Sequence, residues 1–172
     1  YSPRRISAKA CFYPGSPGAR RQGCELPVFQ GPMANISTTA SFATAVHEAG
    51  AFPCLALAGL SIDEACALLE ETARLNIPFG AGIVSVAEND QNLDSLIACL
   101  EQTQPRLVVV AAPQLDHVQR LLKTGLHLAV HAPNAAMFRV LYDLGVRTFI
   151  VEGEEAGGHV SRQGSLSAWQ EV

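Results

Sequence analysis

Charge of one sign is scarce in this chain: 12 Lys and Arg stand against 16 Asp and Glu in 172 residues, for a net charge of −4. No basic, aromatic-interleaved stretch marks a nucleic-acid surface, so a nucleic-acid partner is set aside. Long hydrophobic runs are also missing. The longest, such as LVVVAAP from Leu107 to Pro113, fall far short of a bilayer span, so no membrane partner is expected. Paired cysteine motifs are absent as well. Cys11, Cys24, Cys54, Cys66 and Cys99 are dispersed with no C-x-x-C, which predicts reduced thiols filling core gaps in a cytoplasmic protein. Neither G-x-G-x-x-G nor GK[ST] occurs, which argues against a Rossmann dinucleotide site and a P-loop.

What remains is the composition of an ordinary globular domain, 48% hydrophobic and 16% charged. From Tyr1 to Glu25, arginine, proline and glycine dominate without an apolar period, and residues 1–25 read as a linker or the tail of a preceding module. Residues 26–172 alternate regularly. LPVFQ (Leu26–Gln30) is a strand candidate, followed by a helix that Ser37 or Thr38 could cap and Gly50 could end. AFPCLALAG is the next strand, and Ser61 with Glu64 forms the S-x-x-E signature of a capping box before a second helix. PFGAGIVSV, RLVVVAA, HLAVHA and VRTFIVE read as further strands. Between them lie helices from Asn89 to Gln102, from Pro113 to Gly125 and from Pro133 to Gly145. Six apolar strands and five amphipathic helices predict a parallel sheet covered by helices.

The polar and special residues collect after the strands: Gln30 to Met33, Ser85 to Asp90, Pro113-Gln114, His131 to Asn134, and Glu152 to His159. Turns before strands carry little chemistry. Function at the C-terminal end of every strand is the distribution of a (β/α)8 TIM barrel. Such barrels run to about 250 residues, so this chain is expected to hold about the first six strands of one, as part of a longer polypeptide. The last loop, VEGEEAGGHV from Val151 to Val160, offers glycines for close backbone approach and one histidine for proton transfer. His127 and His131, four residues apart on a strand, lie roughly 13 Å apart and cannot share an ion, so no metal site is expected. His131, at the strand end, is a substrate-pocket candidate. His47 and His117 read as ordinary helix residues for surface or packing. Glu154 and Glu155 are adjacent and point apart, unlike a glycosidase pair.

At QGPM (Gln30–Met33) and EAGGH (Glu155–His159) the chain resembles the nitronate monooxygenase family, once called 2-nitropropane dioxygenases, which includes FMN-dependent enoyl-acyl carrier protein reductases. The wording EGEEAGGHV is most similar to versions embedded in polyketide-synthase-like proteins. The resemblance implies an FMN-binding TIM barrel acting on a small-molecule or acyl-thioester substrate. It implies flavin contacts at Gln30, Gly31, Pro32, Met33, Gly82, Glu152, Gly157 and Gly158, and His159 as the catalytic residue. The activity expected first is oxidation of alkyl nitronates with oxygen. Enoyl-thioester reduction in a polyketide or fatty-acid synthase-like system, a non-catalytic barrel module, and a flavin-free phosphate-binding barrel are the alternatives. Three departures stand out. Ala81-Gly82 replaces the family's asparagine after FG, Glu152 replaces a glutamine, and Val160-Ser161-Arg162 replaces arginine-glycine. The family's phosphate grip belongs to strands seven and eight, beyond the six counted here.

Overall fold

The computed structural model describes residues 13–85, 90–157 and 163–171, with residues 90 and 91 described by backbone alone. Five parallel strands, β1 (Cys54–Ala56), β2 (Gly80–Val84), β3 (Leu107–Ala111), β4 (Leu128–His131) and β5 (Phe149–Ile150), pair in simple sequential order. Helices intervene: α3 (Ile62–Arg74), α4 (Asp90–Thr103), α5 (Leu115–Leu122) and α6 (Ala135–Leu144), with α2 (Ala40–Glu48) before β1 and α7 (Ser165–Glu171) after β5.

Side-chain parity shows which sheet face meets the helices. Leu55, Leu57, Ala81, Ile83, Val108, Val110, Leu128 and Val130 form one core with Leu69 of α3, Leu100 of α4, Val118 and Leu121 of α5, and Leu141 of α6. Each leucine so buried stabilises the fold by about 1.5–3 kcal/mol. The alternate positions on the opposite face are small or medium: Ala56, Gly82 and Val109 in one registered row, Val84 and Ala111 in the next. A doubly wound sheet carries helices on both faces and reverses its strand order at a switch point. Sequential order with helices on one face is the wall of a β/α barrel, as the loop chemistry implied.

Local signals explain most boundaries. The Ser61–Glu64 capping box forms, with Ser61 N–H donating to Glu64 Oε2 at 2.8 Å. Gly145 closes α6 in the left-handed conformation. Other expectations need correction. The first strand, Leu26–Gln30, is reduced to a short parallel pairing centred on the Phe29–Phe52 bridge: Leu26 N–H donates to Gly50 C=O, Phe52 N–H to Val28 C=O and Gln30 N–H to Phe52 C=O, before Gly31-Pro32 turns the chain away. Thr39, not Ser37 or Thr38, caps α2 by accepting from Phe42 N–H. Pro113 precedes the first turn of α5, whose N-cap is Gln114. The segment to Glu25 is not structureless throughout: Ser16 caps the short α1 (Pro17–Gln22), Ala19 is fully buried, and Arg106 Nη1 donates to Arg21 C=O. The cysteines are not all free thiols either. Cys66 of α3 and Cys99 of α4 are joined in a disulfide across 5.7 Å between Cα atoms. Among the described residues, no helix is long and apolar enough to cross a membrane.

Candidate ligand site at the strand ends

Small side chains on the inner sheet face leave a cavity of about 540 Å3 at the C-terminal ends of the strands. Ala56 and Ala58, Gly82 and Val84, and Val109 and Ala111 line its wall. Gly31, Pro32 and Met33 border it from the turn after the Phe29 bridge, His131 from the end of β4, and Glu152 and Gly157 from the loop after β5. Seven residues expected at the site thus share one cavity. Gln30 stands just behind it, and Gly158 and His159 lie outside the described residues.

The turn is held by three devices. Gln30 extends the short first strand with its side chain: its Oε1 accepts from Cys54 N–H at 2.9 Å and its Nε2 donates to Cys54 C=O at 3.2 Å. A carboxamide so placed imitates one more peptide of the ladder. Its side-chain amide thus serves the scaffold of the turn. Pro32 packs on β2 at Gly82, where any Cβ would collide with the proline ring. Gly82 is thus required by close approach of the turn itself. Finally, the buried Ser37 hydroxyl accepts from Met33 N–H at 2.9 Å and donates to Met33 C=O at 3.2 Å. Ser37 was expected as a cap and proves to be a clamp.

The loop after β5 is tied at its base to the start of α7. Glu154 N–H donates to Gln163 C=O at 2.8 Å, Gly153 N–H donates to Ser165 Oγ at 3.1 Å, and Ser165 N–H donates to the Glu155 carboxylate at 3.0 Å. The Ser165 hydrogen bonds lower the Glu155 carboxyl below its ordinary pKa. Gly153 leaves no room for a Cβ beside Ser165, so its identity serves the loop, whereas Gly157 has open space around it. Nothing in the sequence pattern singled out Ser165; its partners lie 10 and 12 residues away.

His131 Nδ1 and Glu152 Oε2 are 3.6 Å apart, an ion pair when the imidazole is protonated but too long for a hydrogen bond. Glu152 Oε2 is buried without a hydrogen-bond partner among the described residues. A carboxylate oxygen in that state is a strong acceptor for a donor on a bound ligand. Beyond the cavity, His127 Nε2 pairs with Thr148 Oγ1 at 3.0 Å, away from His131. Asn134, expected among the loop chemistry, caps α6 by accepting from Met137 N–H. His117 is no surface residue: it is 1% exposed, and its Nδ1 lies 2.9 Å from Ser85 Oγ. Burial pushes the Cys54 thiol up to about 12. Among the described residues, no three His, Cys, Asp or Glu side chains are grouped to hold a metal ion.

Fold and site together define part of a β/α barrel with a ligand cavity at its C-terminal end. Known structures share that architecture. FabK from Thermotoga maritima superposes with a TM-score of 0.74 at 22% identity, over 90% of this chain and 50% of its own. A nitroalkane oxidase from Streptomyces ansochromogenes matches at 0.69 and 22% identity, over 90% of this chain and 57% of its own. The enoyl reductase domain of MlnA, from the macrolactin biosynthesis cluster of Bacillus amyloliquefaciens, matches at 0.65 and 13% identity, over 91% and 44%. No family model matches the sequence, and no curated protein matches it significantly. The chain therefore has the fold of these barrels and spans about half the length of FabK.

Proposed function

We propose that the chain forms part of an FMN-dependent oxidoreductase of the nitronate monooxygenase type. The observation that carries this reading is convergence: residues picked from four separate segments of the sequence line one cavity. The cavity fits a flat aromatic cofactor. Its volume falls within the roughly 300–1,000 Å3 of small-molecule sites, its wall is built of small and medium apolar residues such as Ala56, Gly82, Val84, Val109 and Ala111, and one buried carboxylate oxygen has no hydrogen-bond partner among the described residues. Backbone at Pro32 and Met33, with Gly82 behind them, would support the ring, and Gly157 would admit its edge. FMN, when bound, supplies the electron chemistry. The protein's part is to bind, orient and handle protons. Glu152 accepts a hydrogen bond from cofactor or substrate, His131 holds that carboxylate in place, and His159 is assigned the proton transfer from its position in EAGGH.

Oxidation of an alkyl nitronate is the reaction proposed first, since it is the one the sequence resemblance leads to. Reduction of an enoyl thioester, in a synthase-like assembly, is the second reading, supported by the shared fold of the enoyl reductase domain of MlnA. The reading includes a cytoplasmic location, supported by the free thiols of Cys24 and Cys54 and opposed by the Cys66–Cys99 bridge. The test uses the complete polypeptide that carries this sequence, loaded with FMN. Oxygen uptake with a nitronate supports the first reaction, and NAD(P)H consumption with an enoyl thioester supports the second. His159→Ala is expected to lower either by roughly 10²-fold or more while retaining flavin. Unchanged turnover in that variant contradicts the assignment of His159.

A further inference from the structure

A second cavity, of about 260 Å3, opens between the sheet and the first turns of α3 and α4. Leu57 and Leu60 line it from the segment before α3, Ile83 from β2, and Leu93 and Leu96 from α4. The sheet separates it from the cavity at the strand ends: Ile83 belongs to the helix-coated core, whereas Gly82 and Val109 stand in a registered row on the opposite face. Two features of the lining limit what it can hold. Among the described residues that line it there is no Asp, Glu, Lys or Arg, so a charged guest would find no opposite charge. Its two buried polar side chains, Ser85 and His117, are already engaged: Ser85 Oγ lies 2.9 Å from His117 Nδ1 and accepts from Gln114 N–H at 3.2 Å. An apolar guest beside them strands neither group.

The space is also braced. Cys66 follows the lining residue Ala65 on α3, Cys99 lies one helical turn beyond Leu96 on α4, and the two are joined in a disulfide. A covalent tie so close to the cavity restrains the two helices from shifting to fill it. A void that its surroundings cannot fill forfeits contacts along its lining, and an apolar guest restores them. We propose that this cavity is a second binding site, which takes a small uncharged apolar molecule of one-ring size independently of any ligand at the strand ends. A dry cavity of about 150 Å3 holds benzene, so this one has room for a substituted ring. Charge sets its selectivity, because an aromatic carboxylate fits the volume but meets no counter-charge.

The complete polypeptide that carries this sequence is titrated, without added FMN, with benzene, toluene and benzoate, the last as the charged counterpart of toluene. Binding is read by calorimetry and by the thermal midpoint. The two neutral rings should bind saturably and raise the midpoint, and benzoate should bind roughly tenfold more weakly than toluene or worse. Leu96→Trp and, separately, Leu60→Trp fill the cavity from different walls. In each variant that keeps a cooperative thermal transition, affinity for toluene should fall by roughly tenfold or more, since no space remains for the ring. Absence of saturable binding by either neutral ring overturns the proposal, and so does benzoate binding as tightly as toluene. Toluene affinity undiminished in the folded variants places the ring elsewhere and overturns it too. The comparison of neutral with charged rings needs no variant, so it decides the matter even where a substitution prevents folding.

Discussion

Gln30 and Gly82 show how closely the site depends on single residues. Gln30 satisfies both backbone groups of Cys54 from a side chain, so Gln30→Leu keeps the bulk and strands a donor and an acceptor. The expected loss is about 1–3 kcal/mol in urea unfolding, and an unchanged midpoint contradicts the role. Gly82→Ala forces a methyl into the Pro32 ring. Overpacking of that kind costs about 1–3 kcal/mol, and displacement of the turn should also lower FMN uptake. Cys54, with its thiol pushed up to about 12 by burial, stays protonated at neutral pH and should resist alkylation in the folded protein. Mass spectrometry that finds Cys54 modified before unfolding would refute this. At this scale the sequence was informative where a residue sits in a motif. Pro32, Met33 and Gly157, picked from the QGPM and EAGGH motifs, line one cavity. Ser37 was read as a cap although its partner, Met33, is only four residues away, whereas the roles of Ser165 and the Ser85–His117 pair escaped notice because their partners are set by tertiary approach, across 32 residues for the last.

The central strands and helices were legible from apolar periodicity, since β1 to β4 are largely buried and α3 to α6 each send leucines into the core. Two failures have physical causes. The first strand is proline-flanked and completes its ladder with a side chain, which no periodicity records. The α3–α4 disulfide joins cysteines 33 residues apart on different helices, a pairing that dispersed spacing does not reveal. Closing that loop should stabilise the domain by about 4 kcal/mol through the unfolded chain. Cys66→Ser with Cys99→Ser is therefore expected to lower the thermal midpoint, and the wild-type protein should show the same drop under reductant. Equal midpoints in all three would show that the bridge contributes nothing. The loop after β5 has its own pH dependence. Glu155 has a lowered pKa, so its anchoring of Ser165 is present above the ordinary carboxylate pKa and is lost as pH falls through the lowered value.

Across the whole molecule, one sheet face is coated by helices while the other stays small-featured. The helix-coated face holds the chain together, and the bare face makes the cavity. Parallel strands in sequential order bring every β-to-α loop to the same end, which is why motifs as distant as Gln30–Met33 and Glu152–Gly157 share a pocket. The likeness to FabK covers half of that protein, so the cavity described here is one wall of the larger site proposed. On the proposed reading, this wall binds a flavin. The direct measurement is the visible spectrum of the complete polypeptide after incubation with FMN and gel filtration. The account predicts one FMN retained per chain, with its bands shifted from those of free FMN, and loss of that retention in Gly82→Ala. A colourless protein, eluting free of FMN, would contradict it.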